Sequence, residues 1–278
     1  MTFELTTRAA IASALLTLSI ACSTDSPTSS VPSGTGPGSG QVGSGPTDSA
    51  IVARPGSVSG IAVDASGAPI AGATIWIRPA VTTGLLTATT DANGRCSVLA
   101  AFNIPYRAYA WTTVNYAGKS VCLRLASPLP TDYDSFVPGT PVMRNFILRG
   151  SGPVGNDASS HFGADLRLFV PGTPAGSRLM VTLTPTRTLL DGSNGNALTY
   201  DAAEHDLLIT DIPIGVYSAT AAFVDAKGAR TPLEVSVTGY TAYDASATVQ
   251  WQSKSSCVGS SSSGADRSFL WIHVPGAE

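Results

Sequence analysis

Short stretches of this chain alternate apolar and polar residues with a period of two. Leu166, Leu168 and Val170 alternate with Asp165, Arg167 and Phe169. Leu179, Val181 and Leu183 alternate with Arg178, Met180 and Thr182, and Leu233, Val235 and Val237 with Glu234, Ser236 and Thr238. Tyr217, Ala219, Ala221 and Phe223 share one face. That period belongs to half-buried strands. The 28 Gly and 19 Pro fall between such stretches, so turns are frequent and strands are short. The predicted fold class is all-β.

Two predicted regions carry the strands. In the first, 56–150, "GSVSGIAVDASGAPIAGATIWI" holds two apolar runs around a turn set by Asp64, Gly67 and Pro69. "LLTATTDANGRCSVLA" follows, with Asn93-Gly94 as a hairpin signal. "YRAYAWTT", "KSVCLRL" and "VMRNFILRG" complete a set of strands at sandwich spacing. Asp64 and Asp91 each precede a glycine turn and are expected to hold it by accepting backbone N–H bonds. A polar, glycine-rich stretch at 151–163 reads as a linker. The second region, 164–278, alternates as described above and reads as another β-sandwich. "FVPGTP" occurs at 136–141 and again at 169–174. Its Pro-Gly predicts a turn with glycine at positive φ.

Gly60, Val63, Asp64, Gly67, Pro69, Ile70, Gly72 and Ala73 supply one motif, and Thr87, Thr89, Thr90, Asp91 and Gly94 a second, with Cys96 where a tyrosine would stand. These residues resemble the carboxypeptidase regulatory-like domain, a transthyretin-like β-sandwich. The resemblance covers about a third of the chain. It implies a sandwich used as an accessory, adhesive or sugar-binding part, and it brings no catalytic residues.

At the N-terminus, Ala9 to Ala21 is apolar or small and uncharged. The run is shorter than the about 20 residues a spanning helix needs and has the length of a secretory core. "LSIAC", Leu18 to Cys22, resembles a bacterial lipoprotein signal. The resemblance implies cleavage after residue 21 and acylation of Cys22. Ser23 behind the cysteine implies the outer membrane in a Gram-negative host. The expected order is a signal peptide at 1–21, then the lipidated cysteine and a disordered Ser/Gly/Pro linker at 22–55, then two β-sandwich domains in tandem. Too little apolar surface lies in 22–55 to offset its ordering entropy. As a coil it reaches about 30 Å.

With Cys22 acylated, Cys96, Cys122 and Cys257 remain. In an oxidising compartment Cys96 and Cys122, in neighbouring predicted strands, are the preferred pair. Alternation nevertheless sets Cys122 on the face of Arg124 and Cys96 on that of Val98. Cys257 is left to link two copies of the chain.

Net charge is −3 and only 13% of residues are charged, so the basic footprint of nucleic-acid binding is missing. No Gly-x-Ser-x-Gly elbow or phosphate-cradling glycine loop occurs, and no cofactor is implied. Asp201, Glu204, His205 and Asp206 form the best metal candidate by residue type, against the competing reading of a solvated hairpin tip. Trp76, Tyr109 and Trp111 could stack on sugar rings if they leave the core. His273 alternates in step with Trp271 and Phe269 and reads as a residue at the edge of the core or a groove. The chain is expected to be a non-enzymatic, membrane-anchored binding or assembly module with a protein or polysaccharide partner. A polysaccharide-binding accessory lipoprotein and a metal-dependent hydrolase around Glu204 and His205 are the alternatives.

Overall fold

The computed structural model describes residues 19–21, 54–251 and 267–276. Most of the signal and linker segments, with Cys22 and Cys257, lie outside these residues. In chain order the strands are β1 (Ser19–Ala21), β2 (Ser57–Val63), β3 (Thr74–Pro79), β4 (Leu86–Thr89), β5 (Arg95–Leu99), β6 (Tyr106–Tyr116), β7 (Lys119–Arg124), β8 (Val142–Met143) and β9 (Phe146–Ile147). They continue with β10 (Pro153–Val154), β11 (Asp157–His161), β12 (Ala164–Phe169), β13 (Arg178–Pro185), β14 (Leu198–Asp201), β15 (Leu208–Ile212), β16 (Val216–Val224), β17 (Arg230–Ser236), β18 (Ala247–Gln250) and β19 (Ser268–His273). A single 3-10 turn, Pro130–Tyr133, is the helical element among the described residues. The all-β expectation holds.

In the first sandwich, one sheet runs β1-β4-β3-β6-β7 and the other sets β5 and β8 on either side of β2, with β9 also on β2. Ile75, Ile77, Ala108, Ala110, Val121 and Leu123 point inward from the first sheet and meet Val58, Ala62, Cys96 and Val98 from the second. Asp64 Oδ1 accepts the N–H groups of Ser66 and Ala68, both at 2.9 Å. Asp91 Oδ1 does the same for Asn93 and Arg95, both at 2.8 Å. Both aspartates thus hold their turns as expected. Gly94, at φ +70°, adopts the left-handed conformation, and a Cβ there would stand 2.4 Å from the Ala62 carbonyl. Yet Asn93-Gly94 does not close a hairpin: β4 and β5 belong to opposite sheets, so the turn is a corner between them. Gly60 answers a different demand. A Cβ would fall 1.8 Å from the Arg144 carbonyl oxygen, where the 142–147 segment runs parallel beside β2.

The stretch 151–163 is not a plain linker. β10 and β11 pair as a short hairpin, and Val154 and Phe162 bury themselves against Ala126. Beyond it, β14-β13-β16 continue through β17 to β19-β12-β15, with β18 also on β16. β17 changes sheets midway: Arg230 to Leu233 pair with β16, and Glu234 to Ser236 pair with β19. Leu166, Leu168, Val181, Leu183, Val235, Leu270 and Ile272 fill this second sandwich, with Tyr217 and Trp251 fully buried among them. Leu166, Leu168, Leu179, Val181, Leu183, Leu233 and Val235 are buried as expected because each face is covered by the opposing sheet, whereas the alternation fails at the end of β17, where Ser236 is buried and Val237 just beyond it is exposed.

The sandwiches stack end to end. Tyr116 Oη donates to the Thr188 carbonyl at 2.8 Å, and Ile214 N–H to the Gly150 carbonyl at 3.1 Å. One continuous apolar cluster includes buried residues of both. A cleft between them is lined by Asp64, Ile70, Val114, Leu148, Leu190 and Asp191. The chain enters the first sandwich at its opposite end, where Gly56 N–H donates to the Pro138 carbonyl at 2.8 Å.

Candidate functional site

Two aromatic surfaces stand out, one per sandwich. On the outer face of β3, β6 and β7, Trp76 and Trp111 meet edge to face at 4.9 Å, and Tyr109 stacks on Trp111 at 6.0 Å. Arg124 lies over Tyr109 at 5.2 Å and over Tyr133 at 6.0 Å. Burial lowers the pKa of this guanidinium, and the two tyrosines act in the opposite sense. The three aromatic residues named from the sequence are therefore brought together, but Trp111 is only 2% exposed and offers no ring face to a ligand. Its Nε1 is buried without a hydrogen-bond partner among the described residues. Gly72, Thr74, Thr113 and Cys122 line a small cleft beside it.

Cys122 is in a disulfide, and Cys96 is not. The expected pairing fails for a geometric reason. Cys96 is buried on the inner side of β5 in one sheet, while Cys122 is half-buried on the outer side of β7 in the other. The "FVPGTP" expectation also needs correcting, since neither Gly139 nor Gly172 has a positive φ.

The metal candidate does not assemble. Asp201 is buried, accepts the Ala203 N–H at 3.1 Å and faces Arg178 at 3.6 Å. His205 packs edge-on against Tyr200 at 5.3 Å, and Glu204 and Asp206 stand in solvent. Among the described residues no group of three or more His, Cys, Asp or Glu could hold a metal ion. The turn engages these side chains one at a time, so they never converge.

The second aromatic surface was only half visible in the sequence. The parallel pairing of β12 with β19 sets Phe169 opposite Trp271 and Arg167 opposite Phe269. Phe169 stacks on Trp271 at 5.1 Å, and Phe269 lies 5.9 Å from Phe169 and 5.8 Å from Trp271. Tyr240 approaches Trp271 edge-on at 6.3 Å, and Tyr243 stacks on His273 at 5.1 Å. Tyr240 is 72% exposed and Phe269 42%. His273 Nδ1 lies 3.2 Å from Glu234 at the border of the strip. Leu270 and Ile272 point into the core between these rings. Aromatic residues on the solvent side of an alternating strand were the signal that could have found this strip. Tyr240 arrives from a loop and had none.

No family model matches the chain, and no curated protein matches it. Among solved structures it is similar to the Bacillus anthracis TIE protein, at 9% identity and a TM-score of 0.31, over 79% of this chain and 34% of that one. It is similar to a streptococcal ancillary pilin, at 13% identity and a TM-score of 0.25, over 72% of this chain and 59% of that one. It is also similar to BcpA, the major pilin subunit of Bacillus cereus, at 15% identity and a TM-score of 0.23, over 64% and 66%. The chain thus spans about a third of the first of these proteins and less than two thirds of the others. At these scores none carries a role over to this chain.

Proposed function

We propose that this chain is a non-catalytic binding module held at the cell envelope through acylated Cys22. The observation that carries the reading is the aromatic strip in which exposed Tyr240 and Phe269 flank half-buried Phe169 and Trp271, on a sheet face whose inner side is fully packed. Rings fixed by a rigid sheet present apolar area with little conformational entropy to lose on binding. The aspartates of the turns are occupied with backbone N–H groups, which gives them a structural use. Anchoring at Cys22 rests on the "LSIAC" resemblance, and the carboxypeptidase regulatory-like kinship of the first sandwich rests on its two motifs and the turns they form. Labelled fatty acid should enter the wild-type chain and not Cys22→Ala; label in neither would end the anchoring reading.

Polysaccharide as the ligand is the reading that exposed, fixed aromatic rings favour, because flat ring faces stack on sugars. Retention on immobilised polysaccharides by the wild type, lost in F269A/W271A, is the expected result. Retention unaffected by both substitutions would remove the strip from the reading.

A further inference from the structure

We propose that the chain-entry end of the first sandwich rests directly on a lipid bilayer. Three loops meet at that end: 79–85, 100–105 and 136–141. They are joined to one another and to the entering chain by the bonds Ala80 N–H to the Pro105 carbonyl, Tyr106 N–H to the Phe136 carbonyl, and Gly56 N–H to the Pro138 carbonyl. Their tips and the end of β5 expose Val81 at 69%, Leu85 at 39%, Leu99 at 65%, Phe102 at 69% and Val137 at 45%. Apolar side chains gathered at one end of a domain mark a contact surface, whereas scattered single ones do not.

Two observations commit this surface to lipid. The first is where the chain goes. Arg54 and Pro55 leave the sandwich at this end, and residues 1–53 with Cys22 lie before them. The anchoring reading implies cleavage after residue 21, which removes β1 and its pairing with β4, so the anchored segment joins the sandwich at Arg54. The second sandwich is attached at the other end, and the apolar loops are then the part of the folded chain nearest the anchor. The second observation is charge. None of the three loops carries an acid, and the exposed Arg54, Arg78 and Arg107 flank them. Arg78 and Arg107 sit opposite each other in the β3–β6 register, within two residues of the loops. The nearest acids in the chain are Asp132, 3.5 Å from Arg144, and Asp134. Apolar tips ringed by arginines match the acyl boundary and anionic headgroups of a membrane surface. This proposal rests on the anchoring reading for its geometry, and its test separates the two.

The test uses the whole chain carrying either Phe102→Trp, at the proposed contact, or Lys227→Trp, in the exposed Asp225–Ala229 turn at the far end of the second sandwich. Each is mixed with phosphatidylcholine–phosphatidylglycerol vesicles whose acyl chains are brominated or plain, with the wild-type signal subtracted. The new emission of F102W should shift to the blue and lose intensity in brominated vesicles, while K227W does neither. Equal behaviour of the two overturns the proposal. Flotation of the acylated wild type reads the anchor alone. If it floats while F102W stays unquenched, anchoring stands and docking fails. If the chain carries no acyl group, quenching of F102W on added vesicles still decides the docking. The variant L99S/F102S/V137S, at three side chains outside the buried core, should bind anionic vesicles more weakly without the acyl group. If instead the wild type sediments as a dimer that this variant loses, and F102W is unquenched, the surface joins two copies and the bilayer proposal is wrong.

Discussion

The two buried tryptophans offer a matched experiment on what an indole N–H is worth. Trp251 is 1% exposed, and its Nε1 donates to the Asp165 carbonyl at 2.7 Å. Trp111 is 2% exposed, and its Nε1 has no partner among the described residues. Both rings lie against an aromatic neighbour edge to face, Tyr217 for Trp251 and Trp76 for Trp111. Phenylalanine at either site keeps a ring and removes the same atoms, so the cavity cost is similar. The hydrogen-bond terms then differ in sign. W251F breaks a bond and leaves a carbonyl without its donor, a loss of about 1–3 kcal/mol. W111F removes a donor whose unpartnered burial already costs about 1–3 kcal/mol. W251F should therefore be the more destabilising by at least about 2 kcal/mol. Guanidinium unfolding followed by far-ultraviolet circular dichroism measures this without relying on tryptophan emission. If the sandwiches unfold in separate steps, each variant is compared with its own wild-type transition. Equal losses, or a larger loss for W111F, would refute the assignment of these two N–H groups.

Four further outcomes follow from the turns and the cysteine. G94A should lose about 1–2 kcal/mol from the left-handed backbone alone, with the Ala62 carbonyl clash adding to it; D91A should lose about 1–3 kcal/mol by releasing the Asn93 and Arg95 N–H groups. Both are read by denaturant midpoints, and a neutral G94A would contradict the corner geometry. The Asp157 carboxylate, held down to about 2 first by the Ser159 hydroxyl and then by that of Ser160, and Asp64, lowered first by the Ser66 hydroxyl, both fall below the ordinary 3.8. A folded-state value below the unfolded one stabilises fully above the unfolded value and is lost as pH falls through the folded one. Melting temperature should therefore drop on acidification from 3.8 toward 2, and less steeply in D157N. Dithiothreitol should lower wild-type stability by about 2–4 kcal/mol and leave C122S unmoved; a reductant effect that persists in C122S would dissociate it from this cysteine.

Strands were readable wherever one face is covered and the other wet. β12, β13 and β17 were expected from alternation because each packs its apolar set on an opposing sheet. The Asx turns at Asp64 and Asp91 were readable because they use atoms within a few residues of each other. What failed was partnership over distance. Asn93-Gly94 chemistry reverses the chain, but whether β5 then pairs with β4 or crosses to β2 is decided by remote strands. The β10–β11 hairpin contains mostly small and polar residues, so no alternation announced it; it is held by the burial of Phe162 and Val154 against Ala126 and by Asp211, which accepts the Gly152 and Gly163 N–H groups. Cys96 and Cys122 were close in predicted strand order and far apart in the fold, although their alternation already put them on opposite faces.

The same distinction separates the two aromatic surfaces. Trp111 and Trp271 both stand on the outer faces of their strands, between inward neighbours Ala110 and Thr112 and Leu270 and Ile272. Exposure depends on what arrives from elsewhere. Over Trp111 the chain folds Trp76, Tyr109 and Arg124, with Tyr133 from the 3-10 turn beyond the guanidinium, and the ring is sealed. Beside Trp271 it brings Phe169, Phe269 and Tyr240, which widen the apolar area and leave it open. A ligand that stacks on rings therefore has little to gain on the first sandwich and an extended surface on the second. The second is also the sandwich farther from the entering chain. A chain tethered by its N-terminus and resting on its Val81 and Phe102 loops would hold the strip of β12 and β19 one sandwich length away from the lipid, clear of the headgroups and reachable by a bulky polymer.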